Sequence, residues 1–157
     1  MNPRIVNLRD LELAPSDMNR EPTNVFDEHC VGEDFGSKAT GLSVYEVGPG
    51  KRVWPYHFEL GSEEWLIVLS GELVLRTPDG EQTVRAGDTA CFPNGPAGAH
   101  AVWNDSAEPA RFVMFSTHPQ FAGGVVYPDS GNFAFGGPGF DHRGRLGDPV
   151  DYWDGEP

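Results

Sequence analysis

His57 and Glu59 stand two apart in a β-rich stretch, so in a strand they would project from the same face. Glu64 opens the next apolar run, with Leu66 and Val68 on its face, and His100 opens a later run, with Val102 and Asn104 on its side. Two imidazoles and one or two carboxylates turned into one apolar interior would be costly if left unpaired. A divalent cation reverses that cost, because neutral imidazole nitrogen and carboxylate oxygen are its natural ligands. His57, Glu59, Glu64 and His100 are therefore the candidate ligands of one metal ion per chain. Each has an ordinary alternative. A histidine taken alone reads first as a hydrogen-bonded core residue, and Glu59 could instead pair with Arg52 or Arg76. Glu63 takes the face opposite Glu64 and is expected in solvent. His29, His118 and His142 have no partner pattern and read as surface residues.

The elements that must position these side chains are short. From Leu42 onward, β-prone runs alternate with turn residues: Gly41–Val47, Val53–Phe58, Trp65–Leu69, Leu73–Arg76, Thr83–Val84, Thr89–Phe92, Ala101–Trp103 and Arg111–Ser116. Pro78–Asp79–Gly80 is a hairpin signal, since Asp-Gly tolerates the positive φ of tight turns. Trp65–Leu69, continuously apolar, reads as a strand buried on both faces. Cys91, inside another apolar run, reads as a buried thiol. Trp54, Tyr56 and Phe58 alternate out of phase with His57 and are expected in core or interface instead of an aromatic pocket. Many short strands at this spacing predict an all-β sandwich or barrel over about 42–116. Residues 1–40 are polar and irregular, with a strand or two expected near Ile5–Val6 and Val25–Phe26. The Gly- and Pro-rich tail, 119–157, is expected as irregular structure held on the barrel by its aromatic residues.

The chain has 157 residues, enough for one domain with a core of its own. Its 20 glycines and 14 prolines favour short strands and tight turns over long helices. A formal charge of −13 makes nucleic acid and anionic membranes poor partners. Cys30 and Cys91 form no CxxC pair and suit a reducing compartment. The first residues lack the apolar stretch of a secretory signal, and no run is long enough to span a membrane, so a cytoplasmic location is expected.

Two stretches resemble the paired motifs of the cupin family. Gly50-KRVWPY-His57-Phe58-Glu59-LGSE-Glu64-WLIVLS-Gly71 resembles the first, and Gly87-DTACF-Pro93-Asn94-Gly95-PAGA-His100-AVW-Asn104 resembles the second. They stand in the family's order, fifteen residues apart. One extra residue before His57 and two before His100 fall in loops, where insertions cost little. The chemical departure is Glu59, which stands where the family usually has a second histidine. His57, Glu64 and His100 match ligand positions, and Glu59 is a substitute at the fourth. The resemblance implies a small single-domain cupin: a jelly-roll β-barrel, open at one end, with its ligands near the mouth, and a homodimer.

Such a ligand set suits Mn, Fe, Ni or Zn. No Ser/His/Asp-type nucleophile set accompanies it, so catalysis is expected through the metal or through Glu59 as a base. The leading expectation is a metal-dependent enzyme acting on a small organic molecule, dioxygenase- or isomerase-like. The alternative is a non-catalytic barrel that binds or senses a small ligand; a storage role is the weakest reading.

Overall fold

Runs of alternating residues between turns fold as short antiparallel strands, and their inward-facing side chains meet in one interior. The structure is a computed structural model describing residues 5–119 and 122–155; the other residues of the N-terminal segment and tail lie outside those ranges. The strands are β1 (Ala14–Pro15), β2 (Asp27–His29), β3 (Thr40–Val47), β4 (Phe58–Leu60), β5 (Glu64–Ser70), β6 (Glu72–Thr77), β7 (Gly80–Arg85), β8 (Thr89–Phe92), β9 (Ala101–Trp103) and β10 (Ala110–Thr117), followed by β11 (Gly123–Tyr127), β12 (Asn132–Gly137) and β13 (Phe140–Arg145). A short helix, α1 (Val31–Phe35), precedes β3 and ends at Gly36, whose φ of 70° suits glycine. Three antiparallel sheets result, ordered β1-β2-β3-β10-β5-β8, β7-β6-β9 and β13-β12-β11-β4. The fold is an all-β jelly roll, as expected, and the hairpin between β6 and β7 turns at Gly80.

The core lies between the first two sheets, where Leu66, Val68, Leu73, Leu75, Phe92, Val102, Phe112 and Met114 pack together. A smaller cluster sits on the opposite side of β3 and β10. There Val44 and Val113, with Val31 of α1, are covered by Leu8, Leu11 and Leu13 of the N-terminal segment. Asn104 is wholly buried and ties the loop before β10, its amide donating to the carbonyls of Val47 and Glu108 at 2.9 and 2.8 Å.

Four local expectations are corrected. β5 is buried on one face only: Leu66 and Val68 point inward, whereas Trp65 and Ile67 are 38% and 40% exposed. The smaller cluster takes in Leu69 at the far end of β5 but leaves Trp65 and Ile67 uncovered beside the edge strand β8. Cys91, across from Trp65, shares that outer face and is exposed. Val53–His57 is not a continuous strand; Pro55 has no N–H for a ladder, and regular pairing starts only at Phe58. Finally, much of the tail is not irregular, since β11, β12 and β13 form a meander hydrogen-bonded to β4. Glycine in the tail reads as a turn signal, yet Gly124 and Gly144 lie in strands directly across from Phe135 and Phe133. A Cβ on either glycine would run into the facing ring, so each aromatic side chain covers a bare stretch of its neighbour. Among the described residues no helix is long and apolar enough to cross a membrane.

Candidate metal centre

His57 and His100 come from separate segments joined by one antiparallel bridge. The N–H of His57 donates to the carbonyl of His100 at 3.0 Å, and the N–H of His100 returns a bond of 2.8 Å. The two rings thus leave the bridge side by side, with centroids 4.6 Å apart. Phe92 stacks flat on the His100 ring at 3.8 Å, and Trp54 meets His57 edge-on. Glu64 enters from the start of β5, between β8 and β10.

Backbone carbonyls set the tautomer of both imidazoles. His57 Nδ1 lies 2.9 Å from Pro55 O and His100 Nδ1 lies 3.0 Å from Gly98 O. A carbonyl can only accept, so each Nδ1 carries the proton and each Nε2 presents its lone pair. Both Nε2 atoms face Glu64 Oε2, at 4.0 Å for His57 and 3.6 Å for His100. These separations are too long for hydrogen bonds. They are not ion pairs either: burial lowers the pKa of His57, and burial and then His57 lower that of His100 to about 3, so neither ring is charged at neutral pH.

His100 Nε2 and Glu64 Oε2 are buried polar atoms without a hydrogen-bond partner. His100 is 1% exposed, so water does not relieve the cost. Burial, and then the charge of Glu59, push the Glu64 carboxyl up to about 7. One divalent ion would answer each of these penalties. Metal–nitrogen and metal–oxygen bonds of about 2.0–2.2 Å place ligand atoms roughly 3–4 Å apart, the spacing of each Nε2 from Glu64 Oε2. The donor atoms of His57, Glu64 and His100 all lie within 4.8 Å of one another. The three residues fit a divalent metal.

Glu59 lies outside this three-donor group but lines the same cavity of about 190 Å³, with Tyr45, Trp54, Met114, Val125 and Tyr127. Burial pushes its carboxyl up to about 7. Neither arginine considered for it is its partner: Arg76 makes a two-pronged bond to Asp129, and Arg52 lies over the Trp103 ring. Trp54 serves both core and cavity, contrary to the expectation of core or interface alone, because its ring spans from Phe26 and Phe112 to His57. Tyr56 instead lies under the Arg76 guanidinium. Glu63 is exposed, accepting from Trp65 Nε1. His29, His118 and His142 lie away from the cavity.

Val125 and Tyr127 carried no signal in the sequence, since their role depends on β11 pairing with β4. Val125 stands across from Glu59, and Tyr127 comes to lie against His57, ring centroids 5.9 Å apart.

The fold is that of a cupin jelly roll. Residues 43–116 match the family model described as Cupin domain, a stretch that includes His57, Glu64 and His100. Two similar structures cover more than nine-tenths of the chain. One, described as a candidate sugar phosphate isomerase from Acidithiobacillus ferrooxidans, has a TM-score of 0.80 at 23% identity, covering 92% of this chain and 91% of that one. Another, a sugar phosphate isomerase of the cupin superfamily from Silicibacter pomeroyi, has a TM-score of 0.77 at 22% identity, covering 95% and 98%. The protein TT1209 of Thermus thermophilus is similar over 73% of this chain and 97% of its own, with a TM-score of 0.58 at 27% identity. No curated protein sequence matches the chain.

Proposed function

We propose that this protein is a metal-dependent isomerase of a small α-hydroxy-carbonyl compound, with Mn, Fe, Ni or Zn held by His57, Glu64 and His100. The observation that carries the reading is the pair of buried, unpartnered donor atoms, His100 Nε2 and Glu64 Oε2, beside a cavity that also holds the Glu59 carboxylate. A divalent ion bound there supplies Lewis acidity toward a carbonyl or hydroxyl oxygen.

The chain's own part is proton movement and exclusion of water. Isomerisation needs a base that takes a proton from one carbon and returns it to the neighbouring one. In the metal-free protein burial pushes the Glu59 carboxyl up to about 7, which makes it a stronger base than a free glutamate. Glu59 is assigned that role, in preference to a fourth ligand, because it lies outside the three-donor group. Tyr45, Trp54, Met114 and Tyr127 wall the cavity and keep bulk water from the reacting carbons. Two similar structures described as sugar phosphate isomerases support isomerisation over dioxygenation.

The decisive experiment follows exchange with solvent. Protein loaded in turn with each metal is incubated with hydroxy-aldehydes and hydroxy-ketones in D₂O, and loss of the proton beside the carbonyl is read by NMR. Exchange that requires metal and disappears in Glu59→Gln and His100→Ala is expected. No exchange with any compound in any metal form would refute the reading.

We also infer a homodimer, supported by Trp65 and Ile67 exposed beside edge strand β8. A cytoplasmic setting, where the exposed thiols of Cys30 and Cys91 stay reduced, completes the proposal.

A further inference from the structure

The tail's sheet connects the metal cavity to a cationic edge. Cross-strand partners share a face, and one row runs Glu59, Val125, Ala134, Arg143 across β4, β11, β12 and β13. The next row runs Tyr127, Asn132, Arg145, beginning beside His57. One face of a single sheet therefore carries the Glu59 carboxylate of the metal cavity at one edge and two arginines at the other, three strand spacings or about 14 Å away. The residues between them are small or neutral.

That face is hollow. A depression of about 320 Å³ includes Glu59 at one end and Arg143 at the other, floored by Val125, Ala134 and Gly136. Glu59 and Val125 also line the metal cavity, so the two spaces adjoin. The metal cavity itself is lined by carboxylates and imidazole and no lysine or arginine among the described residues, so an anionic group finds no cationic side chain there. Arg143 is the cation that the adjoining space presents. Its side chain is 80% exposed, and Asp141, which lines the same hollow, lies 3.8 Å from it.

Building on the isomerase reading, we propose that this hollow is a subsite for a phosphate monoester, in which Arg143 receives the phosphate of a substrate whose hydroxy-carbonyl end lies at His57, Glu64 and His100. The guanidinium offers a planar set of donors matched to phosphate oxygens. Arg145, on the same face but bonded to Asn132, adds charge at longer range.

The test uses two probes that cannot turn over, D-erythronate and 4-phospho-D-erythronate, titrated calorimetrically into the Mn-loaded and the metal-free protein. The phosphorylated probe is expected to bind about tenfold more tightly than the other at low salt, with the advantage shrinking as salt screens it. Arg143→Gln should abolish the advantage while leaving erythronate affinity and metal content unchanged. Asp141→Asn, which removes the competing carboxylate, should enlarge it. Arg85→Gln, on a different sheet, controls for net charge and should leave it intact. Equal affinity for the two probes in the unmodified protein, or an advantage that survives Arg143→Gln, would overturn the subsite. Failure of the metal-centre reading looks different, because then neither affinity would respond to removing the metal.

Discussion

His57 and His100 exchange two backbone hydrogen bonds, and this one bridge sets their Nε2 atoms toward the same carboxylate oxygen of Glu64. The bridge joins positions far apart in the chain, so the ligand geometry is as stable as the barrel wall that contains it. Each imidazole is also pinned at Nδ1 by a carbonyl two residues before it, which leaves the rings little freedom to turn away.

Removal of either ring should therefore empty the centre. Elemental analysis of protein purified without chelator should find close to one transition-metal ion per chain, and His57→Ala or His100→Ala should lose most of it. A wild-type protein that retains none of Mn, Fe, Ni, Co or Zn after loading would contradict the assignment.

Metal affinity should depend on pH through Glu64 and not through the histidines. The carboxyl must ionise to bind, and in the metal-free protein burial and the charge of Glu59 hold it up to about 7. His57 and His100 are both pushed below an ordinary imidazole, His100 to about 3, so at neutral pH neither has a proton to lose. Affinity should rise about tenfold per pH unit between 5 and 7 and flatten above, with about one proton released per ion at pH 6 and a small fraction at pH 8.5. Calorimetry in buffers of different ionisation enthalpy measures the released proton. A proton count independent of pH would be the contrary result.

The two glutamates should separate in their effects. Glu64→Gln removes a member of the three-donor group and should weaken metal binding by at least about a hundredfold, beyond the scale of losses in supporting groups. Glu59→Gln should change affinity by less than about tenfold and act on proton exchange instead. If Glu59→Gln strips the metal as Glu64→Gln does, Glu59 is a fourth ligand. Titrating Mn into the two apo variants decides between them.

Asn104→Ala should destabilise the fold without touching the metal. The carbonyls of Val47 and Glu108 would lose their side-chain donor in a buried loop, at a cost of about 2–3 kcal/mol. For a chain of this size that lowers Tm by roughly 4–12 °C. Thermal unfolding of the apo forms measures it, and metal content per folded chain should be unchanged.

Light scattering at micromolar concentration should give twice the chain mass. Trp65→Glu or Ile67→Glu, on the bare side of β5, should shift it toward the single-chain mass while leaving the inward-facing Leu66 and Val68 in place. A wild-type mass of one chain, unaffected by dilution, would remove the dimer.

The local patterns carried much of this structure because alternation, turn residues and ligand types are properties of neighbouring positions. His57, Glu64 and His100 were legible among four candidates for one site, as were the strands between 42 and 116 and the turn at Asp79–Gly80. Which face of a strand is covered is not a local property. Trp65, Ile67 and Cys91 looked buried because they are apolar, but their exposure follows from how far the N-terminal segment reaches across the sheet. The tail shows the same limit more strongly. Its glycines signal turns when read singly, yet Gly124 and Gly144 sit in strands because Phe135 and Phe133 lie over them. Only that long-range pairing brings β11 beside β4, places Tyr127 against His57, and joins Glu59 and Arg143 across one sheet, since contacts between distant segments are decided by packing and not by the residues next in line.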